Sequence, residues 1–259
     1  MPAELNYAIE GPEDAPVVAF TGSLGTDLTF WRPQSDRLSE HYRTLRYEIR
    51  GHGASEVPPG PYSMSDLGSD LIALLDRLEI ERVLLCGLSI GGMISMWAAA
   101  NAPERVNRVV LCCTSAKLGP PETWHERAAT VRAEGVGAVA DAVLGRWFTP
   151  QFAAARPDVI DRMRRILTAT SPEGYAGCCE AIAEMDLTPD LPLIAAPTLV
   201  IAGEDDPSTP PEHGRLIADL IPGAGFEVVS PAAHLATIER ADLTTSMILR
   251  FLSDERGEK

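Results

Sequence analysis

One serine of this chain, which has a glycine two positions before it and another two positions after it, is well placed for chemistry. Ser89 is the centre of the motif Gly87-Leu88-Ser89-Ile90-Gly91, which follows an apolar run at 83–86 and precedes an Ala- and Met-rich run at 93–100. A buried strand and then a helix are predicted on either side, so the serine lies on a tight strand-to-helix turn. On such a turn the first helical N–H groups, beginning with that of Ile90, face any negative charge that develops beside the hydroxyl. The pattern predicts a nucleophile, and the alternative is a purely structural turn.

A nucleophilic serine needs a base and an acid that orients the base. His234 comes just after a short predicted strand at 226–229, and Asp205 and Asp206 come just after a predicted strand at 197–203. Open parallel sheets build their sites beyond the carboxyl ends of their strands, where these side chains are expected. The order Ser, Asp, His therefore predicts a triad. Asp206 is preferred to Asp205 because it directly precedes a proline-rich stretch that stiffens its backbone.

The other four histidines are weaker candidates for the base. His41, His125 and His213 lie in polar surroundings and are expected at the surface. His52 follows a predicted strand at 44–49 and is expected near the site. A triad has no task for a second base, so we expect His52 to pack a glycine-rich turn.

Acyl chemistry also needs a second donor to the oxyanion, usually from the loop after an early strand. The predicted strand 17–20 runs into a loop with two glycines, at 21–27. The backbone N–H of Ser23, or else that of Leu24, is expected to point to the same place as that of Ile90. The alternative is an ordinary glycine turn.

Several motifs carry a resemblance to a known family. Segments 22–27 with Trp31, 50–53, 87–92, 203–211 and 232–235 resemble those of the α/β-hydrolases. Segments 146–150 and 175–179 are similar to those of the 3-oxoadipate enol-lactonases of aromatic catabolism. Thr21, Glu48 and Ala241 depart from the pattern, in which His, Asp and Pro are usual.

The order of predicted elements indicates the same architecture. Strands and helices alternate through the first part of the chain, whereas residues 119–191 have a helical pattern punctuated by prolines and contain no good strand. We therefore expect an α/β-hydrolase fold with a mostly parallel central sheet and helices on both faces. Its core is formed by residues 1–118 and 192–259, and 119–191 are inserted between them as a helical cap.

Length and composition limit the class of protein. A chain of 259 residues is long enough for one core and a cap. No apolar stretch is long enough to cross a bilayer and the first sixteen residues lack the pattern of a leader, so a cytoplasmic protein is expected. The five cysteines are expected to be reduced thiols, and no metal-binding or nucleotide-binding motif is present, which predicts neither metal nor cofactor.

Charge restricts the partners. The net charge of −15 argues against nucleic acid and anionic membranes. The one clear basic excess lies at 143–167, where Arg146 stands beside Trp147 and is our candidate for binding a substrate carboxylate. A solvated arginine is the alternative. Trp31, Trp124 and Trp147 are candidate apolar walls of the substrate site, or else core residues.

The resemblance implies a function for these residues. It implies that Ser89, Asp206 and His234 hydrolyse 3-oxoadipate enol-lactone to 3-oxoadipate through an acyl-enzyme, in the β-ketoadipate pathway and without a cofactor. The partner is then a small anionic lactone or ester, and the sequence predicts no oligomeric state. A general carboxylesterase or perhydrolase would use the same triad. A non-catalytic protein that binds a small ligand on this scaffold would not need all three residues.

Overall fold

A seven-stranded sheet forms the centre of the protein in the computed structural model, which describes residues 1–253. The strands are β1 Tyr7–Glu10, β2 Val17–Thr21, β3 Arg43–Tyr47, β4 Val83–Leu88, β5 Val106–Cys112, β6 Thr198–Gly203 and β7 Gly225–Val229. Their order across the sheet is β1-β3-β2-β4-β5-β6-β7. Only β1 runs antiparallel to its neighbour, and every other adjacent pair is parallel. The predicted α/β class with a mostly parallel central sheet is confirmed.

Eleven α-helices are present among residues 1–253. They are α1 Arg32–Leu38, α2 Met64–Arg77, α3 Ile90–Asn101, α4 Pro121–Glu134, α5 Ala140–Trp147, α6 Pro150–Ala155, α7 Pro157–Ala169, α8 Pro172–Glu184, α9 Pro211–Leu220, α10 Ala236–Glu239 and α11 Ala241–Ser253. Short 3-10 helices lie at Pro103–Arg105, Val136–Val139 and Thr188–Leu193. None of the helices described is long and apolar enough to cross a membrane.

The strand before Ser89 and the helix after it are largely buried. All six residues of β4 are buried, which fits a strand paired on both sides within a parallel sheet. Helix α3 is apolar on nearly all sides and contacts β2, β4 and β5 as well as α2. Burial on all these sides fixes the direction in which α3 leaves the sheet.

The predicted cap segment, residues 119–191, is helical in the structure. The described part of the chain has no strand between β5 and β6, and these two strands pair directly, with Val109 opposite Thr198. Residues 119–191 therefore leave the sheet continuous, and we propose that they form the cap. The last six residues of the predicted second core segment, 254–259, lie outside the described residues.

Prolines set the helix boundaries of the cap segment. Pro121, Pro150, Pro157 and Pro172 are each the first residue of a helix. The first helical position suits proline because the missing N–H would have no intrahelical acceptor there, and the fixed φ already matches a helix. These prolines of the sequence thus mark the starts of helices. Helix α4 packs along α8 within the segment.

Candidate active site

Ser89 occupies the single residue between β4 and α3, and its backbone is strained. It has φ 58° and ψ −120°, a conformation that costs energy for a residue with a side chain. Two hydrogen bonds hold it there: Ser89 N donates to Cys112 O at 3.0 Å, and Thr114 Oγ1 donates to Ser89 O at 2.7 Å. The turn predicted from the motif is therefore a sharp bend that the end of β5 supports.

Glycine at position 91 lets the start of α3 approach the end of β2. A Cβ on Gly91 would lie 2.2 Å from the carbonyl oxygen of Thr21, and only a movement of the backbone could relieve that clash. Ile90, the first residue of α3, has an N–H without an intrahelical acceptor. The close approach brings the loop after β2 to the serine and this free N–H.

Asp206 and His234 meet through a buried hydrogen bond. His234 Nδ1 lies 2.8 Å from Asp206 Oδ2, and the two residues are 4% and 3% exposed. The carboxylate also accepts Thr209 Oγ1 at 2.7 Å and the N–H groups of Ser208 and Thr209 at 2.8 and 3.1 Å. Burial by itself raises the pKa of Asp206. The charge of His234 and the hydrogen bonds from His234 and Thr209 outweigh it and place the pKa below its ordinary value.

Asp205 faces a different environment from Asp206. Its side chain is exposed, while its backbone N–H donates to Ala232 O at 2.9 Å. Glu204 N likewise donates to Val229 O at 2.9 Å, so the loops after β6 and β7 are tied together by their backbones. Of the two carboxylates considered for the acid, Asp206 is the one that the structure brings to His234.

Glu239 ties the loop that carries His234 to the cap segment. Its Oε2 accepts the backbone N–H of Ala233 at 3.1 Å and that of Thr149 at 3.3 Å, and its Oε1 accepts the Thr149 hydroxyl. Leu235 N donates to Trp147 O at 2.9 Å. His234 is therefore coupled to the end of α5, a link that sequence reasoning missed because no local pattern joins residues 90 positions apart.

The loop after β2 carries the predicted oxyanion donors Ser23 and Leu24. Both residues are buried, and the carbonyl of Ser23 accepts Thr26 N at 3.1 Å and Thr26 Oγ1 at 2.7 Å. Because these two hydrogen bonds hold the carbonyl oxygen of Ser23, the peptide group between Ser23 and Leu24 has a fixed orientation. Gly25 N donates to His52 Nε2 at 2.9 Å, which anchors the same loop to the turn after β3.

His52 packs the glycine-rich turn as expected, and it also holds the loop after β2. Its Nδ1 lies 3.2 Å from Arg50 O and donates to it, so that Nε2 is free to accept Gly25 N. Burial lowers the pKa of His52 to about 4, only partly offset by the hydrogen bond to Arg50. The imidazole is consequently neutral at neutral pH, as an acceptor at Nε2 must be.

Glu48, which departs from the usual Asp, joins three segments around the same loop. Its carboxylate accepts Asn6 Nδ2 at 2.8 Å, Leu28 N at 3.1 Å and Ala54 N at 2.8 Å. Its side chain is buried, so these donors replace water. Glu48 thus fixes the far end of the loop that His52 fixes in the middle.

A cavity of about 220 Å³, here called the Ser89 cavity, opens between the sheet and the cap segment. Its lining residues are Ser23, Leu24, Ser89, Leu118, Gly119, Thr123, Trp124, Arg127, Val143, Arg146, Trp147, Tyr175, Ile182, Pro207, Ser208, Thr209 and His234. The structure therefore brings together the predicted nucleophile, base, loop donors, two of the predicted tryptophans and the predicted arginine. Within residues 1–253 no group of three or more His, Cys, Asp or Glu side chains is placed to hold a metal ion.

Trp31 does not line the Ser89 cavity, which corrects the prediction that it is a wall of the substrate site. It is 2% exposed. The centre of its ring lies 5.2 Å from the ring centre of Phe20 and 5.3 Å from that of Phe30. The residue stands directly before α1, where its side chain turns into the aromatic core. Of the two readings offered by the sequence, the core reading is the correct one for Trp31.

The positive charge of the cavity comes in part from the basic excess at 143–167 and in part from outside it. Arg156 pairs with Asp158 and Arg164 with Asp141, and neither lines the cavity. Arg146 does line it, together with Arg127 from α4. Sequence reasoning missed Arg127, although its position three residues after Trp124 placed both on one face of a helix.

Known proteins with similar sequences and structures are hydrolases of the same fold. A family model described as the alpha/beta hydrolase fold matches residues 15–241. The 3-oxoadipate enol-lactonase 2 of Acinetobacter baylyi is 42% identical over 236 residues, which cover 91% of this chain and 88% of that protein. The crystal structure of the enol-lactonase from Burkholderia xenovorans has a TM-score of 0.95 at 45% identity, covering 97% of each chain. A thermophilic esterase from Thermogutta terrifontis, with malate bound, has a TM-score of 0.92 at 30% identity, covering 96% of this chain and 93% of that one.

The buried, neutral state of His52 predicts acid sensitivity. An unfolded histidine binds a proton near pH 6.5, whereas folded His52 does so only near pH 4. Between these values the unfolded state binds more protons, so stability falls as the pH falls. The wild type should lose about 2 kcal/mol more free energy of unfolding than His52→Gln between pH 7 and pH 5, measured by urea titration. His41→Gln, at an exposed histidine, is the control and should keep the wild-type loss. Equal losses in wild type and His52→Gln would contradict the assignment.

Proposed function

The chain belongs to the alpha/beta hydrolase family and is a hydrolase, and we propose that it opens 3-oxoadipate enol-lactone to 3-oxoadipate through an acyl-enzyme on Ser89. One observation carries the proposal. The cavity lined by Ser89 and His234 is also lined by Arg146, a cation that suits a small lactone bearing a carboxylate.

In the proposed reaction the lactone carbonyl carbon lies against Ser89 Oγ. His234 takes the hydroxyl proton as the oxygen attacks, while Asp206 keeps the proton on Nδ1 and stabilises the imidazolium. The carbonyl oxygen becomes an oxyanion beside the N–H groups of Ile90 and of Ser23 or Leu24. The ring C–O bond then breaks, leaving an acyl ester on the serine and an enolate, which leaves more readily than an alkoxide because its charge is delocalised. The imidazolium of His234 gives its proton to the enolate oxygen, which forms the enol and makes His234 a base again.

The second half of the proposed reaction uses the same groups in reverse. His234 takes a proton from water, and the hydroxide attacks the acyl carbon. Collapse of the second tetrahedral intermediate returns the proton to Ser89 Oγ and releases the carboxylic acid. The enol of the product tautomerises to the 3-oxo acid, so no cofactor takes part in the scheme.

Arg146 supports a carboxylated substrate through its surroundings. It is half-buried, and among residues 1–253 no carboxylate forms an ion pair with it. Burial, and then the positive charge of Arg127, lowers the pKa of Arg146. A partly desolvated cation without a counter-charge binds an incoming carboxylate more strongly than one in water. Trp124 and Trp147 supply apolar walls of the same cavity.

A carboxylesterase of wider specificity is the second candidate, favoured by one observation. The esterase of Thermogutta terrifontis shares 30% identity with this chain, and its structure holds malate, a small dicarboxylate. The alternative of a non-catalytic binding protein is less favoured because the buried Asp206–His234 pair has a cost in desolvation that ligand binding alone does not require.

We also propose a cytoplasmic location and a place in aromatic catabolism. All five cysteines are unpaired and buried, which is usual for proteins of a reducing compartment. The lactonases named among the relatives support the pathway.

Ser89→Ala tests the nucleophile. The change removes a single hydroxyl from the cavity wall, so the circular dichroism spectrum and melting temperature should stay close to the wild type. Turnover of 3-oxoadipate enol-lactone should fall by roughly three orders of magnitude or more. A variant that keeps most of the wild-type rate would exclude Ser89 as the nucleophile.

Asp206→Asn and Asp205→Asn test the acid as a matched pair. An amide at 206 favours the wrong imidazole tautomer, so kcat should fall by about three to four orders of magnitude. The same change at exposed Asp205 should leave kcat within about threefold of wild type, since surface substitutions rarely disturb a site. The opposite ranking would assign the role to Asp205.

Arg146→Ala tests the substrate class. Losing one partner of a desolvated charge pair costs about 2 to 5 kcal/mol, so kcat/KM for the carboxylated lactone should fall by roughly 30-fold or more. A small neutral ester should be hydrolysed nearly as fast as by the wild type. Arg165→Ala removes an exposed arginine of the cap segment and should change neither rate. Equal losses on both substrates would indicate a disturbed cap segment instead.

A further inference from the structure

We infer that Arg127 binds the substrate carboxylate together with Arg146, so that two guanidinium groups from two helices select carboxylated lactones. This inference rests on the proposed function and adds a specificity residue to it. Three observations support it: both arginines line the Ser89 cavity, Trp124 contacts the Arg127 guanidinium, and the two positive charges lie near each other.

Two helices of the cap segment each present a cationic face to the Ser89 cavity. In α4 the lining residues are Thr123, Trp124 and Arg127. In α5 they are Val143, Arg146 and Trp147, again at spacings of three and four residues. Positions three and four apart lie on one face of a helix. Arg127 and Arg146 therefore line the cavity from two different helices.

Trp124 orients the Arg127 side chain. The guanidinium carbon of Arg127 lies 4.5 Å from the centre of the Trp124 ring, within the range of a cation–π contact. A guanidinium stacked on a ring keeps its N–H groups in the plane of the stack, where they remain available to a ligand. The contact thus holds the cation beside the cavity that Trp124 and Arg127 both line, where Arg127 also forms a hydrogen bond with the cavity residue Tyr175.

The charges of Arg127 and Arg146 are near enough to oppose each other, since the positive charge of Arg127 contributes to lowering the pKa of Arg146. Both lie close enough to Tyr175 that their positive charges oppose the rise that burial causes in its pKa. Within the described chain neither arginine forms an ion pair with a carboxylate. Other arginines of the cap segment do: Arg132 pairs with Glu173 and Glu180, and Arg164 with Asp141.

One bound carboxylate would relieve this repulsion. A carboxylate has two oxygens and about four acceptor sites, enough for two guanidinium forks. Two half-buried like charges destabilise each other until an anion lies between them. A neutral ligand leaves that repulsion in place, so the pair favours a carboxylated lactone over a neutral one of the same shape.

The test compares two enol-lactones with the same ring. One carries a carboxymethyl group, as in 3-oxoadipate enol-lactone, and the other carries a methyl group there. Wild type, Arg127→Gln, Arg146→Gln and the control Arg165→Gln are assayed on both. Arg127→Gln should lower kcat/KM for the carboxylated lactone by about 30-fold or more, mainly through KM, and change the rate on the methyl lactone by less than about threefold.

The outcomes separate this inference from the function on which it rests. If Arg146→Gln loses the carboxylated lactone selectively and Arg127→Gln does not, the role of Arg127 is overturned and the proposed function stands. If Arg127→Gln loses both lactones equally, Arg127 supports the helix and does not bind the carboxylate. If the wild type itself does not prefer the carboxylated lactone, the proposed substrate class fails.

Discussion

The carboxylate of Asp206 is 3% exposed, and such a group can stay ionised only when donors replace its water. Four donors do so: His234 Nδ1, Thr209 Oγ1 and the N–H groups of Ser208 and Thr209. To place them, the loop after β6 must fold back on itself and the loop after β7 must lie against it. The backbone bonds from Glu204 and Asp205 to the second loop meet that requirement. The position of His234, the proposed base, therefore depends on the hydrogen bonds that one buried carboxylate requires.

Hydrogen bonds also fix the loops and the helix end that border the proposed substrate site. Glu239 and the bond from Leu235 N to Trp147 O connect the loop that bears His234 to the end of α5, which bears Arg146. On the opposite side, His52 and Glu48 hold the loop that bears Ser23 and Leu24. Short polar contacts thus join the loop of His234 to the end of α5, and others fix the loop that carries the proposed oxyanion donors. A shift of the cap segment would move the arginine and the base together.

Much of this arrangement could be predicted because it follows from local pattern and chain order. The motif Gly87-Leu88-Ser89 and the order Ser, Asp, His place these residues at the carboxyl ends of strands. Continuous apolar runs that alternate with helical segments predict that those strands are parallel. What could not be predicted depends on contacts between distant segments. Trp31 turned out to be core because two phenylalanines surround it, and Arg127 was missed because its helix packs over the cavity from outside the basic stretch. Glu239 and Glu48 act through partners far along the chain, which leave no periodic signal.

The central claim is that His234, oriented by Asp206, makes Ser89 a nucleophile in the folded protein. The most direct measurement is reaction of the native enzyme with a fluorophosphonate, followed by peptide mapping with mass spectrometry. Fluorophosphonates phosphonylate an activated serine and leave ordinary hydroxyls unmodified, because attack requires the base and the oxyanion donors together. The account predicts one adduct per chain, on Ser89, and none after Asp206→Asn on the same timescale. An adduct on another serine, or an unmodified Ser89 in active enzyme, would contradict it.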